Sequence, residues 1–393
     1  MKVLGLMSGT SADGVDAVLA ELKGRPKRPR WRILASASSA YTDQLKAKLV
    51  AVGQGLAVPA AELLDLAEAI TRAHAEAAKA CDPGMTAQLV GCHGQTIWHR
   101  PPQAGHRGVS WQLLLGPLLA ELLSTPVIFD FRAADLALGG QGAPLVPATD
   151  AALLGPIAGW RALLNLGGIA NLTLIPPRSG PERHLPISGW DCGPANSLLD
   201  LAVSHFSEGA IGFDAGGSWA SQGVIHEELI QTWLKEPYFC QKPPKSTGRE
   251  LFGRQDLERR LKDLATVSGG ELRQGKGEYA ANALATLTAF TAAVVAHDLR
   301  QGPQPLELLA AGGGVRNAFL MGELRRRCCG TQLRSLKELG IASQDREALA
   351  FATLAWWHHL GSSGSIPSVT GASHEAVLGI RANPQASDIS RSS

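Results

Sequence analysis

Residues 1–16, MKVLGLMSGTSADGVD, begin as a short apolar run and then break into glycine, hydroxyl and carboxylate side chains. Gly9 and Gly14 allow the backbone to turn tightly and to approach a ligand closely. Asp13 and Asp16 are suited to holding a metal ion or orienting water. Apolar residues then alternate again, which predicts strand, turn and strand and leaves both a ligand loop and a plain hairpin tip open. The hydroxyl residues suited to an anion are Ser8, Thr10 and Ser11.

The length and charge of the chain define its broad class. With 393 residues the chain is too long for one ordinary core, so we expect two domains. Its 45% hydrophobic and 18% charged residues are typical of a globular protein. Nucleic-acid and membrane-surface partners usually need a concentrated basic face. The net charge of +2 gives no support for such a face, so we expect neither partner.

The cysteines and the termini predict a cytoplasmic protein. The six cysteines include no CxxC pair, which favours reduced thiols over disulfides. The N-terminal apolar stretch is too brief for a signal peptide. Residues 279–297 carry no formal charge, but Asn282 and several threonines indicate a buried helix rather than a membrane span.

Apolar strands alternate with helical patterns along the chain, which predicts an α/β architecture. Residues 61–80 have helical spacing, and residues 87–96 resemble a strand that ends in a polar loop. A second helix is predicted over 109–124, and the glycine- and proline-rich run 134–147 is a candidate hinge or active-site loop.

The opening pattern returns at residues 161–176, RALLNLGGIANLTLIP. Strand, glycine-rich turn and strand occur again about one domain further along the chain. This internal similarity predicts a duplicated protein with a cleft between its halves. Asn165 lies in the second turn, where its side chain is suited either to a ligand or to the turn itself.

Three further motifs carry polar groups at predicted strand ends. Asp191 precedes a predicted helix, so it is either a helix cap or a general base. Gly312–Gly314 either make room for a nucleobase or ribose or form a tight connection before a helix that starts near Asn317. The spacing of His93 and His99 does not indicate a zinc site, and a substrate contact or a core histidine is the alternative.

Nine motifs in order resemble the anhydro-N-acetylmuramic acid kinase family, and they extend from Met7 to Ala372. The resemblance implies the actin/hexokinase/heat-shock ATPase fold, which consists of two ribonuclease-H-like α/β domains with a central inter-domain cleft. The motifs are MSGTSADGVD, HGQTIWH, FRAADLALGGQGAPLVP, NLGGIANLT, WDCGPAN, KSTGREL, AGGGVRN, DREALAFA and VTGA.

The same resemblance implies the domain limits and the reaction. Domain I would comprise 1–150 and a C-terminal helix at about 346–379, domain II would comprise 151–345, and 380–393 would be a disordered tail. The enzyme would use ATP and Mg²⁺ to open the 1,6-anhydro bridge of the sugar hydrolytically and to phosphorylate O6. The product would be N-acetylmuramic acid 6-phosphate in peptidoglycan recycling, and the family also suggests a homodimer.

The resemblance also implies roles for individual residues. Asp191 would be the general base, and Asp13 would hold the metal ion through water. The expected ATP-binding residues are Gly9, Thr10, Ser11, Ala12, Asp13, Gly14, Val15, Asp16, Asn165, Gly167, Gly168, Gly312, Gly313, Gly314 and Asn317. The expected sugar-binding residues are His93, Gln95, Gly193, Asn196 and Glu347.

The chain departs from the family pattern at three positions. Cys192 and Ala195 replace the more frequent Thr and Gly, and Asp150 replaces a usual His. These departures bear on fine positioning. Two other functions remain compatible with the residues: a kinase of another free sugar or amino sugar, and a non-catalytic nucleotide-binding regulator or chaperone-like ATPase.

Overall fold

The structure is a computed structural model that describes residues 1–9, 11–103, 105–243, 245–248, 251–269 and 275–385. The chain divides into two compact units. Unit 1 comprises Met1–Gly155 together with Gly340–Ser393, and unit 2 comprises Pro156–Leu339.

Unit 1 is built on a seven-stranded sheet in the order β12-β6-β4-β1-β2-β3, with β5 paired to β4. The strands β1, β2 and β3 form antiparallel hairpins, whereas β4 runs parallel to β1 and β6 runs parallel to β4. The strands are β1 (Lys2–Ser8), β2 (Gly14–Arg25), β3 (Arg28–Ala40), β4 (Leu89–Arg100), β5 (Val109–Leu113), β6 (Val127–Phe129) and β12 (Ile380–Ala382).

Helices cover both faces of this sheet. Leu4 and Leu6 of β1 join the core that contains Ile70 of the second helix. Gly5 lies on the opposite face, where an added Cβ would be 1.8 Å from the carbonyl oxygen of Ala348 in the C-terminal helix. The helices of unit 1 are α1 (Asp43–Gly53), α2 (Ala60–Cys81), α3 (Gly116–Leu123), α4 (Ala133–Ala137), α5 (Val146–Leu154), α11 (Asp345–His359) and α12 (Pro367–Thr370).

Unit 2 has a five-stranded sheet in the order β11-β10-β7-β8-β9. Its apolar core joins strand residues such as Leu164 with Phe290 of the long helix. The strands are β7 (Arg161–Leu166), β8 (Ile169–Ile175), β9 (Ser188–Pro194), β10 (Glu307–Ala311) and β11 (Gln332–Ser335). The helices are α6 (Asn196–Phe206), α7 (Glu227–Trp233), α8 (Arg254–Ser268), α9 (Lys276–Leu299) and α10 (Ala318–Arg327).

The two units share one strand order. In each, the first three strands form consecutive antiparallel hairpins. Two further strands continue parallel on the other side of the first strand: β4 and β6 in unit 1, and β10 and β11 in unit 2. The predicted α/β fold with two ribonuclease-H-like domains is therefore confirmed, and the similarity of residues 1–16 and 161–176 reflects equivalent hairpins.

Helix α9 is the uncharged segment noted in the sequence. Among the described residues it is the one helix, counted to Arg300, with the length and apolar composition of a membrane span, and its apolar window is fully buried. The packing of Leu287 and Phe290 in the core of unit 2 explains this composition. The prediction of a buried helix is confirmed.

Several local predictions were wrong. Residues 109–113 form β5, because they pair with β4, so the helix predicted over 109–124 is shorter and starts at Gly116. The polar loop predicted after the strand at 87–96 is a continuation of β4 to Arg100. Ile380–Ala382 pair with β6 instead of beginning a disordered tail, and residues 386–393 lie outside the described part of the chain.

Candidate active site

The predicted phosphate loop is the turn between β1 and β2 in unit 1. The Ala12 N–H donates to the Gly9 carbonyl at 3.1 Å, and Ala12 has a left-handed φ of 51°. An added Cβ at Gly14 would lie 2.2 Å from the Ser39 carbonyl oxygen, so β3 approaches the end of the turn closely. These contacts make the turn tight and leave Ser11 and Asp13 exposed.

The turn is shorter than the sequence indicates. Gly14 already pairs with Ala40, so Val15 and Asp16 belong to β2 rather than to a loop. Val15 is buried in the apolar core, which removes its side chain from any contact with a nucleotide. Thr10 lies outside the described residues.

The Asp13 carboxylate is paired with Lys46, whose Nζ donates to Oδ1 at 2.6 Å. This hydrogen bond, with a second from Ser11, holds the pKa of Asp13 below its ordinary value. Across the described ranges no group of three or more His, Cys, Asp or Glu side chains is arranged to hold a metal ion. Asp13 is a single carboxylate already bonded to Lys46, and a Mg²⁺ ion held by only one or two carboxylates keeps several water ligands.

Buried side chains form a hydrogen-bond chain that ends at the backbone of the turn. Ser8 Oγ donates to Gln95 Oε1 at 2.6 Å, and the Tyr41 hydroxyl donates to Ser8 Oγ at 3.0 Å. Gln95 Nε2 in turn donates to the Gly9 carbonyl at 3.1 Å. Gln95, predicted to bind the sugar, is buried, and its amide holds the first residue of the turn.

His93 and Glu347 lie near the same guanidinium, that of Arg132. Arg132 Nη2 lies 2.8 Å from His93 Nε2, and His93 Nδ1 lies 2.9 Å from the Gly94 carbonyl. Because the guanidinium is always a donor, Nε2 accepts and the proton of the imidazole sits on Nδ1. Burial, together with the Arg132 charge, lowers the pKa of His93 to about 3, so the ring is neutral.

Arg132 lies near two predicted sugar-binding residues, His93 of β4 and Glu347 of α11. It also donates to the Gly142 carbonyl at 2.6 Å. Burial lowers the pKa of Arg132 to about 10, while the charges of Glu347 and Asp135 oppose this shift. Sequence reasoning missed Arg132, although it lies inside the FRAADLALGGQGAPLVP motif.

In unit 2 the predicted nucleotide residues come together around the turn between β7 and β8. Asn196 Nδ2 donates to the Leu166 carbonyl at 2.9 Å, and its backbone N–H donates to the Gly167 carbonyl at 3.0 Å. The Ser197 N–H donates to the Gly168 carbonyl at 3.1 Å. Asn196, predicted to bind the sugar, therefore fixes this turn to the start of α6.

The triple-glycine run packs against the same turn. An added Cβ at Gly312 would lie 2.7 Å from the Leu166 carbonyl oxygen and 2.9 Å from Asn165 Oδ1. Gly313 is exposed next to this contact. Asn317 caps α10, since its Oδ1 accepts from the Leu320 N–H at 2.9 Å. The glycines thus allow two loops of unit 2 to approach each other closely.

Asp191 lies within β9, and its carboxylate does not cap α6. The N-cap residue of α6 is Ala195, which makes no side-chain capping bond. Asp191 Oδ2 instead accepts from Ser246 Oγ and from the Thr247 N–H, both at 3.0 Å. Asp191 and Asn171 are partners in the register of β9 and β8. Ser246 and Thr247 belong to the KSTGREL motif, but their contact with Asp191, some 55 residues earlier in the chain, is visible only in the fold.

The neighbours of Asp191 on β9 face the core. Cys192 and Ala195 are fully buried, so these two departures from the family pattern affect packing. Gly193 is buried as well, and an added Cβ there would lie 2.8 Å from the Phe239 ring. This close packing explains the glycine, and its predicted contact with sugar stays a prediction. All six cysteines are free, as predicted.

Two duplicated α/β units, glycine-rich hairpin turns and a hydrogen-bonded aspartate at a sheet edge are features of the two-domain α/β phosphotransferases. The anhydro-N-acetylmuramic acid kinase family model matches residues 1–383. The chain belongs to the anhydro-N-acetylmuramic acid kinase family, and it is a kinase that uses ATP.

Two relatives and one solved structure illustrate what this chain is similar to. Anhydro-N-acetylmuramic acid kinase of Synechococcus sp. (strain CC9311) is 61% identical, with 98% of this chain and 100% of that protein covered. The protein of the same name from Prochlorococcus marinus (strain MIT 9303) is 59% identical over the same shares. A ROK family glucokinase from Streptomyces griseus, solved with glucose and AMPPNP, is 14% identical with a TM-score of 0.39, covering 91% of this chain and 99% of that one.

Proposed function

We propose that this protein converts anhydro-N-acetylmuramic acid, ATP and water to N-acetylmuramic acid 6-phosphate and ADP. The observation that carries the proposal is the family match over residues 1–383. Water adds at the anomeric carbon, the bond from that carbon to O6 breaks, and O6 takes the γ-phosphoryl group of ATP. Water leaves its OH on the anomeric carbon and gives its proton to the general base and then to solvent, while the bond from the γ-phosphorus to ADP breaks and ADP leaves.

Asp191 is the proposed general base for the water. It is a partly buried carboxylate in β9, and two hydrogen bonds to Oδ2 keep it in one orientation. A positioned carboxylate can accept the proton of water as the new bond to carbon forms. By analogy with single-displacement glycoside hydrolysis, water attacks opposite the leaving oxygen, and the configuration at the anomeric carbon inverts.

The glycine-rich turns are the proposed phosphate and nucleoside contacts. The turn at Gly9–Asp13 and the turn at Gly167–Gly168 present backbone close to solvent. In the triple-glycine run Gly313 is exposed, and an added Cβ there would lie 3.8 Å from Asn196 Nδ2. Backbone N–H groups in such turns suit phosphate oxygens. Asp13 would hold Mg²⁺ through water, and the ion would neutralise charge on the phosphates during transfer.

The remaining proposals concern the sugar contacts, the cellular location and the partners of the protein. The sugar contacts proposed in unit 1 are His93, Gln95 and Glu347, and those proposed in unit 2 are Gly193 and Asn196. ATP use supports a cytoplasmic location. A homodimer, and the absence of nucleic-acid and membrane partners, follow from the family resemblance and the near-neutral charge.

The decisive experiment compares acceptor sugars. ATP consumption and product formation are measured with anhydro-N-acetylmuramic acid, free N-acetylmuramic acid and glucose. We expect turnover with the anhydro sugar and little with the other two. Preference for a sugar without the anhydro bridge would favour the alternative sugar kinase, and nucleotide binding without any sugar phosphorylation would favour the regulator.

The stereochemical outcome is tested separately. Proton NMR during the first turnovers identifies which anomer forms before mutarotation. Inversion supports attack of water opposite the bridge oxygen. Retention in the first-formed product would instead require a covalent intermediate and would remove the single-displacement step.

A further inference from the structure

We propose that Lys245 and Ser246 are positioning residues for Asp191, with Asp298 as the anchor that holds Lys245 in place. This inference rests on the proposed role of Asp191 as general base. The residues form a connected set within unit 2: β9 carries Asp191, the segment 245–247 covers its carboxylate, and α9 carries Asp298.

The segment 245–247 is joined to Asp191 at both the backbone and the side chain. The Asp191 N–H donates to the Lys245 carbonyl at 3.0 Å. Ser246 Oγ and the Thr247 N–H both donate to Asp191 Oδ2 at 3.0 Å. Donors to a carboxylate favour its charged form, and a base must be charged to accept a proton. The segment therefore orients Asp191, and both of its donors to Oδ2 suit a carboxylate that accepts hydrogen bonds.

A buried ion pair fixes the start of this segment. Lys245 Nζ lies 2.9 Å from Asp298 Oδ1, and the two side chains are only 1% and 2% exposed. The Lys245 ammonium also lies 5.1 Å from the centre of the Tyr238 ring. Removing two charges from water is costly, and such a pair is stable only in well-matched geometry. Its geometry therefore determines where Lys245, and hence Ser246, can lie.

The same anchor holds the strand that carries Asp191. Trp190 Nε1 donates to Asp298 Oδ2 at 2.9 Å, and the Tyr238 hydroxyl donates to the Asp191 carbonyl at 2.8 Å. One carboxylate on α9 thus contacts both the residue before Asp191 and the residue before Ser246. A shared anchor keeps the base and its hydrogen-bond donors in register.

Four described titratable groups lie around Asp191. They are the Lys245 ammonium, the Asp298 carboxylate, the Tyr238 hydroxyl and the Cys192 thiol. Burial raises the pKa of Cys192 well above its ordinary value, so this thiol stays neutral. The carboxyl resonance of Asp298 is told apart from that of Asp191 because it is missing from the ¹³C NMR spectrum of Asp298→Asn.

The primary test is the pKa of Asp191 measured by ¹³C NMR of labelled aspartate carboxyls, with Asp191→Asn used to assign the resonance. We expect Ser246→Ala to raise this pKa by about one pH unit, because one donor to the charged form is lost. Ser246→Thr keeps the hydroxyl, so the pKa of Asp191 in this variant should equal that of the wild type. Ser221→Ala, which removes an exposed hydroxyl that donates to Ser218, is the matched control.

The second test is the pH profile of kcat/KM with anhydro-N-acetylmuramic acid. Ser246→Ala should move the acid limb upward by the same amount and lower kcat about tenfold, with KM for ATP unchanged. Lys245→Met should have the same effects, and circular dichroism checks that it folds. If Lys245→Met does not fold, Ser246→Ala still decides the outcome.

The outcomes separate this inference from the proposed function. An unmoved Asp191 pKa in Ser246→Ala overturns the positioning role, even if kcat falls. A shifted pKa in a protein that does not phosphorylate the anhydro sugar supports the positioning role and rejects the proposed function. Loss of ATP affinity without a shift in pKa indicates a structural effect and likewise overturns the inference.

Discussion

Arg346 donates two hydrogen bonds to the carboxylate of Asp150, one of them from Nε to Oδ1 at 3.1 Å. Both side chains are less than a tenth exposed. The pair joins the first turn of α11 to α5, next to Glu347. Asp150 stands where the family more often has His, and Arg346 gives this departure a specific partner within unit 1.

Asp150→Asn should destabilise the protein by about 3–5 kcal/mol, because Arg346 would remain charged and buried without its partner. The measurement is the free energy of unfolding in urea. The double variant Asp150→Asn, Arg346→Met removes both charges and should recover much of the loss. A single variant as stable as the wild type would show that the pair is not buried as described.

The contact between β4 and α11 leads to a second prediction. An added Cβ at Gly91 would lie 2.2 Å from the carbonyl oxygen of Phe351, and backbone cannot move aside cheaply. Gly91→Ala should therefore cost about 3 kcal/mol or more, or prevent folding. Thermal unfolding measures the loss. In Gly53→Ala at the end of α1, by contrast, the added Cβ would lie 3.8 Å from the Ile97 carbonyl oxygen of β4, and no destabilisation is expected.

His93 should make the protein sensitive to acid. Its pKa is lowered from 6.5 to about 3 by burial and by Arg132. Between these values the unfolded chain binds a proton that the folded chain excludes, so stability falls as pH drops below about 6.5 and levels off below about 3. In His93→Gln the free energy of unfolding should fall less steeply as pH drops, by up to about 1.4 kcal/mol per pH unit.

Urea unfolding between pH 7 and pH 4 checks this prediction. The slope that remains in His93→Gln includes His74, whose pKa burial lowers to about 4. His374→Gln changes an exposed ring and is the matched control. Equal pH slopes in the wild type and in His93→Gln would contradict a neutral, buried His93.

Asp191→Asn should reduce turnover by at least about a thousandfold, because the amide cannot accept a proton from water. Since the nucleotide contacts are proposed at other residues, ATP affinity measured by calorimetry should change little. Asp214→Asn, at a carboxylate that accepts from Ser218 and from two backbone N–H groups of its own loop, is the control for unit 2. Turnover that survives in Asp191→Asn would remove this residue from the mechanism.

Local chemistry explains which parts of the fold were predictable. The hairpins β1–β2 and β7–β8 follow from apolar alternation interrupted by glycine, and α2 follows from helical spacing, because both patterns act over a few residues. The sequence predicts a helix over 109–124, and only pairing with β4 makes residues 109–113 a strand. Ile380–Ala382 became a strand for the same reason, through β6.

The sequence by itself determined the duplicated α/β plan, the family, and the positions of the glycine turns and of Asp191. The tertiary structure alone decided what surrounds them. Arg132 meets His93 across 39 residues, and Ser246 meets Asp191 across 55. Contacts over such separations depend on how strands and helices pack and leave no periodic signal in the chain, so the partners of Asp191 became visible only when the chain was folded.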